Sequence, residues 1–184
     1  MTNRPRALAV LLLSSAFLLT GAAAFAQNSN TTPQTLRLTA DLLETGADLS
    51  GIVFNLLLAR SPASARLWSQ VLPTLRFFEQ DRVAMLTVTD EGLAQAGASL
   101  PEADGLVEFL RNIRGVELAV VFKQTGEQAY RLSLRTTERI DATRIAAIYG
   151  GGGHRRAAGC DAVGLIAEIE RRIVEAYRQQ RAEQ

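Results

Sequence analysis

Residue types that carry much enzyme chemistry are nearly missing from this 184-residue chain, which has one histidine (His154), one cysteine (Cys160) and one lysine (Lys123). A single cysteine excludes an intrachain disulfide and any cysteine-built metal site; Cys160 reads as a small packed residue. With one lysine, the basic character is almost wholly arginine, the side chain suited to bidentate phosphate contacts. Strong charge of either sign is missing as well. A net charge of +1 gives no global steering toward nucleic acid or membrane. No acidic residue precedes Asp41, and no internal repeat is present. At 47% hydrophobic and 21% charged, the composition excludes a disordered or fibrous chain. The length is that of one domain with a sizeable core.

The apolar run Ala7–Leu19 is too short for a membrane-spanning helix, which needs about 20 residues. It follows the basic start MTNRPR and precedes Ala24-Phe25-Ala26. That is the order of a secretory signal peptide. Residues 1–26 are therefore expected to form a cleavable leader, with the mature protein beginning near Gln27, exported to the periplasm and without a stable membrane span.

Residues 27–80 read as a polar linker, NSNTTPQT, followed by helices. The first has apolar residues at 36, 38, 42 and 43 and stops at Gly46. A second covers DLSGIVFNLLLARSP, and a third begins at ASARLWSQ and turns toward strand after Pro73. Residues 81–184 then change period. RVAMLTVT is a strand rich in β-branched and apolar residues, and helices follow at about 90–97 and 104–113. VELAVVFKQTGEQAYRLSLR predicts a hairpin turning at Gln124–Gln128. On its second arm Arg131, Ser133 and Arg135 share one face, opposite Tyr130, Leu132 and Leu134. Asp141–Gly150 predicts a capped helix, and residues 165–177 an amphipathic terminal one. The expected fold is α/β, a mixed sheet flanked by helices with an N-terminal helical lead-in.

Local charge is uneven. Between Arg131 and Arg156 stand six arginines (131, 135, 139, 144, 155 and 156) against Glu138 and Asp141, a local net of +4 (six minus two). This surrounds YGGGGHRRAAG, where four glycines, Gly150, Gly151, Gly152 and Gly153, precede His154, Arg155 and Arg156. Glycines cost about 1 kcal/mol each in regular structure, so the run is expected to be a loop. It is either a structural turn or a nest of N–H groups for an anion. Neither G-x-G-x-x-G nor the Walker lysine can be laid over it.

SLRTTERIDATRIAAIYGGGGHRRAAGC resembles the signature of the DHH-associated domain, the C-terminal substrate-binding half of the Asp-His-His (DHH) phosphoesterases. Its GGGH-x-x-A-A-G is matched by Gly151, Gly152, Gly153, His154, Ala157, Ala158 and Gly159, and the upstream S-L-R by Ser133, Leu134 and Arg135. The branch acting as oligoribonuclease and 3′-phosphoadenosine-5′-phosphate phosphatase is the most similar, from about Asn28 onward. The C-terminal domain of alanyl-tRNA synthetase is less similar, lacking the histidine. The resemblance implies that Arg135 and His154 contact the substrate, with the Gly150–Gly153 backbone lining the pocket. A role for Arg155 is inferred from its charge alone. Tyr130 and Tyr149 are candidate stacking partners, although their apolar faces favour core packing.

The same resemblance implies two metal ions, usually manganese, in an N-terminal catalytic domain. Such hydrolysis needs clustered carboxylates and histidines. Here Asp-x-Asp is missing, and a lone histidine cannot form Asp-His-His. The expectation is a domain that binds short single-stranded oligonucleotides or adenosine 3′,5′-bisphosphate, with no catalytic residues, metal or cofactor of its own. Two alternatives stand: the substrate-binding half of a phosphoesterase completed by a separate DHH domain, and a gene remnant without activity. The family implies cytoplasm, against the leader. Whether two copies associate as a homodimer is left open by the residues.

Overall fold

The computed structural model describes residues 32–184, so the leader-like segment 1–26 lies outside the described residues. The chain divides into two compact units, Met1–Ala59 and Arg60–Gln184. The described part of the first is helical. α1 (Pro33–Glu44) starts where the Thr32 hydroxyl accepts from the Thr35 N–H and Pro33 presets the first helical φ. α2 (Leu49–Val53) is capped by Asp48 and runs into a π-helical turn, Phe54–Leu58. Neither α1 nor α2 has a buried residue.

The second unit follows the order α3 (Pro62–Val71), β1 (Arg76–Phe78), β2 (Val83–Val88), α4 (Asp90–Ala96), α5 (Leu106–Arg111), β3 (Leu118–Gly126), β4 (Ala129–Thr136), α6 (Ala142–Ala146), β5 (Gly152–His154), β6 (Ala157–Val163) and α7 (Ile166–Ala182). The strands form one six-stranded sheet in the order β1-β2-β3-β4-β6-β5. Only β2 and β3 pair in parallel, joined by the crossover that carries α4 and α5; the other neighbours are antiparallel. The fold is thus the expected mixed sheet flanked by helices. Among the described residues, no helix is long and apolar enough to cross a membrane.

Two apolar cores sandwich the sheet's first half. Ala84, Leu86, Ala119 and Val121 pack against Leu67 of α3, Leu93 of α4 and Leu106 and Leu110 of α5. On the other face Met85, Val120, Phe122, Leu134 and Cys160 pack against Ile145 of α6 and Ile173 and Tyr177 of α7. Buried on both faces, β2 and β3 read as continuous apolar runs. β4 and β6 alternate, because their α6–α7 face is covered while the other, touched by α5 only beside Arg135, is largely open. Arg131, Ser133, Arg135, Gly159 and Asp161 lie on the other face, exposed or half-buried.

One expectation is corrected here. The glycine run is no free loop: Gly152–His154 is an edge strand, paired with Ala157–Gly159 of β6. Two of its glycines are demanded by that pairing. A Cβ on Gly151 would stand 2.2 Å from the Gly159 carbonyl oxygen. Gly153 has φ +145° and would put a Cβ 2.5 Å from the Ala157 oxygen. The helix before the run ends as expected, with Asp141 capping α6 and Gly150 closing the 3-10 turn Ala147–Tyr149 in the left-handed region.

Candidate functional site

Strand register decides which candidate residues meet. Across β3, β4, β6 and β5, Ala119 pairs with Arg135, Arg135 with Ala157, and Ala157 with His154. Residues directly paired across a sheet point to the same side. Arg135 and His154 therefore rise from the open face in one row, about two strand spacings, roughly 10 Å, apart. The next row holds Ser133, Gly159 and Gly152, and the one after it Lys123, Arg131 and Asp161. The three rows span about 13 Å along the strands.

The middle row is a floor of small residues. At Gly152 a Cβ would meet nothing within 4 Å, so its bareness answers no packing need of the described chain. Beside the floor lies a cavity of about 420 Å³ lined by Arg131, Ser133, Tyr149, Gly150, Gly151 and Asp161, among others. Cys160 also borders it, with its thiol pushed up to about 11 by burial and, secondarily, by the charge of Asp161. A thiol so held is protonated and inert at neutral pH.

The basic patch suggested by the sequence is neutralised in three dimensions. Arg135 donates through Nε to Glu108 Oε1 of α5 at 3.0 Å, with Nη2 2.9 Å from the same oxygen as an ion pair, and donates through Nη1 to the Leu134 carbonyl. Arg131 pairs with Asp161 at 3.0 Å, and Lys123 with Asp104 at 3.2 Å. Arg156 pairs with Glu138 at 2.7 Å, and Arg144 with Glu183 at 2.6 Å. Of these carboxylates only Glu138 falls inside the stretch that looked basic.

Arg155 and Arg156 form the two-residue connection from β5 to β6. The Arg155 carbonyl accepts from the Ala142 N–H and the Thr136 hydroxyl, which pins the turn to α6 and β4. Its guanidinium lies 3.4 Å from the Glu138 carbonyl oxygen. Burial raises the Asp141 carboxyl, but hydrogen bonds from Thr143 and the Arg155 charge together bring it below its ordinary value. The structure thus brings Arg135, His154 and Gly152 together and turns Arg155 toward Glu138 and Asp141.

Both candidate stacking tyrosines belong to the covered face. Tyr130 meets Phe122 edge to face, with centroids 6.1 Å apart. Tyr149 packs against the α6–α7 core and donates to the Ile169 carbonyl at 3.5 Å.

Glu108 is the residue that sequence reasoning missed. Nothing in LVEFLR marks it, since only the packing of α5 against β4 brings it to Arg135. A larger cavity, about 630 Å³, lies at the β1–β2 turn and the end of α7. Two of the three arginines that line it are engaged by the fold's own acids, Arg178 with Glu79 at 2.6 Å and Arg181 with Glu117 at 3.4 Å. Among the described residues no group of three or more His, Cys, Asp or Glu side chains is placed to hold a metal ion. The described residues therefore offer no donor set that fits a two-metal centre.

The DHHA1 domain family matches residues 80–180. The bifunctional oligoribonuclease and PAP phosphatase NrnA of Thermus thermophilus is 35% identical over 153 residues. That alignment covers 83% of this chain and 45% of the relative, so the chain spans under half the length of that protein. Among solved structures, an exopolyphosphatase-related protein from Bacteroides fragilis superposes with a TM-score of 0.74 at 23% identity, covering 88% of this chain and 47% of that one.

Proposed function

From the premise that the chain belongs to the DHHA1 domain family, we propose that it is a nucleotide-binding module for short single-stranded oligonucleotides or adenosine 3′,5′-bisphosphate, without a catalytic centre of its own. The observation that carries this reading is the row of Arg135 and His154 on an open sheet face, beside the bare backbone of Gly152 and Gly159. A guanidinium and an imidazole supply directed donors to phosphate oxygens. The glycine floor lets a sugar or base approach the peptide plane. Gly150, Gly151 and Gly153 support that floor, and Arg155 fixes the turn beside it.

The test is fluorescence anisotropy of a labelled RNA of about three nucleotides, titrated with the protein and with Arg135→Ala and His154→Ala, using adenosine 3′,5′-bisphosphate as competitor. Saturable binding lost in both variants is the expected result. A well-folded wild type that binds neither ligand sinks the reading and leaves the remnant interpretation in front.

A second reading, the substrate-binding half of a phosphoesterase completed by a separate DHH domain, is favoured by the first unit. Leu36, Leu38, Leu42, Leu43, Ile52 and Phe54 are all exposed within it. Exposed apolar residues so concentrated mark an interaction surface. Adding a separately expressed catalytic DHH domain with manganese should yield hydrolysis that neither protein shows alone. No gain on mixing rejects this second reading.

A further inference from the structure

We propose that the cavity between the β1–β2 turn and the end of α7 is a second anion site, where Arg82, Arg178 and Arg181 hold the phosphate group of a small ligand. The site is independent of the nucleotide-binding reading above. Tyr177, in its lining, packs on the α6–α7 face, opposite the row of Arg135 and His154.

Arg82 carries the inference. Among the described residues no carboxylate lies within 4.0 Å of its guanidinium, whereas Arg178 is held by Glu79 and Arg181 by Glu117. All five of its N–H donors are available, and no carboxylate has to leave before a ligand enters. Its main chain is fixed, because the Arg82 carbonyl accepts from the Glu117 and Leu118 N–H groups at 2.7 and 3.1 Å. Burial pushes the Tyr177 hydroxyl up and Glu117 adds to this, while the charges of Arg181 and Arg82 pull the other way. Both guanidiniums therefore stand near that hydroxyl. Arg178 gives Nε and Nη2 to Glu79, which leaves Nη1. Arg181 faces Glu117 with Nε and gives Nη1 to Gln184, which leaves Nη2.

The lining has three arginines against Glu79, a net of +2 (three minus one). Including Glu117 and Arg139, which stand 3.9 Å apart, leaves the same +2 (four minus two). Asp81, exposed in the same turn, is outside the lining, and Glu175 pairs with Arg171. The turn that presents Arg82 is strained: Glu79, Gln80 and Asp81 have φ of +54°, +57° and +64°. Side-chain-bearing residues adopt that region at a cost, and a purely structural turn would hold glycine or asparagine there. Such strain gathers where a fold holds groups for a ligand. At about 630 Å³ the cavity is of small-molecule size. Guanidiniums converging from the turn and from α7 suit a tetrahedral oxyanion, with oxygens on every side. The Tyr177 ring is 2% exposed, so a base finds no aromatic surface to stack on, and the phosphate group alone is recognised.

The test is isothermal titration calorimetry with inorganic pyrophosphate, in an Arg135→Ala background that disables the other face. Saturable binding is expected, and adding Arg82→Ala should weaken it by about tenfold or more, the scale of one charge-assisted contact. Arg82→Lys should restore part of the affinity, as a charge without the guanidinium fork. Arg82 is exposed, so both variants should keep the parent's thermal midpoint. In NMR spectra pyrophosphate should shift the amides of residues 79–82 and 177–182, and leave those of Gly152–His154 in place. A nucleoside 5′-diphosphate should bind within about threefold of pyrophosphate; binding about tenfold tighter would overturn recognition of the phosphate group alone. No binding of pyrophosphate, or an affinity unchanged by Arg82→Ala, overturns the site. RNA anisotropy with the single variant Arg82→Ala should match wild type, so the failure of this site and that of the nucleotide-binding face are read separately.

Discussion

Ala157 stands between Arg135 and His154 in a single row of the sheet, so only a methyl group separates the floor beneath the two side chains. A ligand gripped by both must lie over it. Ala157→Leu is therefore expected to lower RNA affinity by about tenfold or more. It should change stability by only about 0.5 kcal/mol, as for other substitutions at positions that are not fully buried. The check is anisotropy together with a thermal midpoint; unimpaired binding would place the ligand elsewhere on the protein.

The glycines should separate into two classes. Gly151→Ala or Gly153→Ala drives a Cβ into the β6 backbone. Each should destabilise by about 1–3 kcal/mol or more, as overpacked or strained sites do. Gly152→Ala should fold normally and bind RNA more weakly, because its Cβ projects into open space above the face. Urea unfolding of the three variants beside their affinities decides this. Equal loss of stability in all three would make the run purely architectural.

Salt should affect binding little. A phosphate that replaces Glu108 on Arg135 frees a carboxylate, which recruits a cation from solution, so few counterions are released overall. Single-stranded ligands held by unpaired cations lose affinity with a log–log slope of about −0.7 per phosphate contact. Here a trinucleotide is expected to show a slope shallower than about −1. A slope of about −2 or steeper would mean that the phosphates meet free arginines.

Alkaline pH should destabilise the fold through two groups. Burial pushes the Cys160 thiol up to about 11. It also raises the Tyr177 hydroxyl to about 12, aided by the hydrogen bond to Glu117. Both groups hold their protons to higher pH in the folded chain than in the unfolded one. The stability they confer is thus complete at neutral pH and is lost as pH rises, starting near the unfolded thiol value of about 8.5. For Cys160 the loss is about 3 kcal/mol by pH 11. Cys160→Ala should flatten the early part of the decline in urea midpoints between pH 8 and 11. Identical declines in the two proteins would remove Cys160 as a cause.

Much of the architecture was legible because it is local. The β3–β4 hairpin shows in the alternation of Tyr130, Leu132 and Leu134 with Arg131, Ser133 and Arg135, and α6 in its Asp141 cap. The glycine run misled because intrinsic cost was weighed without the strand it pairs with. Gly151 and Gly153 are glycine because β6 comes so close, a tertiary fact. The charge of the site was misread for a similar reason. Six arginines in one stretch looked like a patch, yet Glu108 and Asp104 come from a segment before β3, Asp161 from β6 and Glu183 from the end of α7. Ion pairing follows three-dimensional neighbourhood, and no window along the sequence contains it.

The position of β5 at the sheet's edge has a consequence for motion. β4, which carries Ser133 and Arg135, is hydrogen-bonded on both sides, by β3 and β6. β5, which carries Gly152 and His154, is held on one side only and by three residues. The amides of β4 should exchange with solvent near the rate of global unfolding, and those of β5 by local fraying. One side of the proposed binding face is therefore fixed and the other yields. A ligand that bridged Arg135 and His154 would tie β5 to β4 across the face, and its arrival should be written in the exchange rates of three residues while the rest of the sheet stays silent.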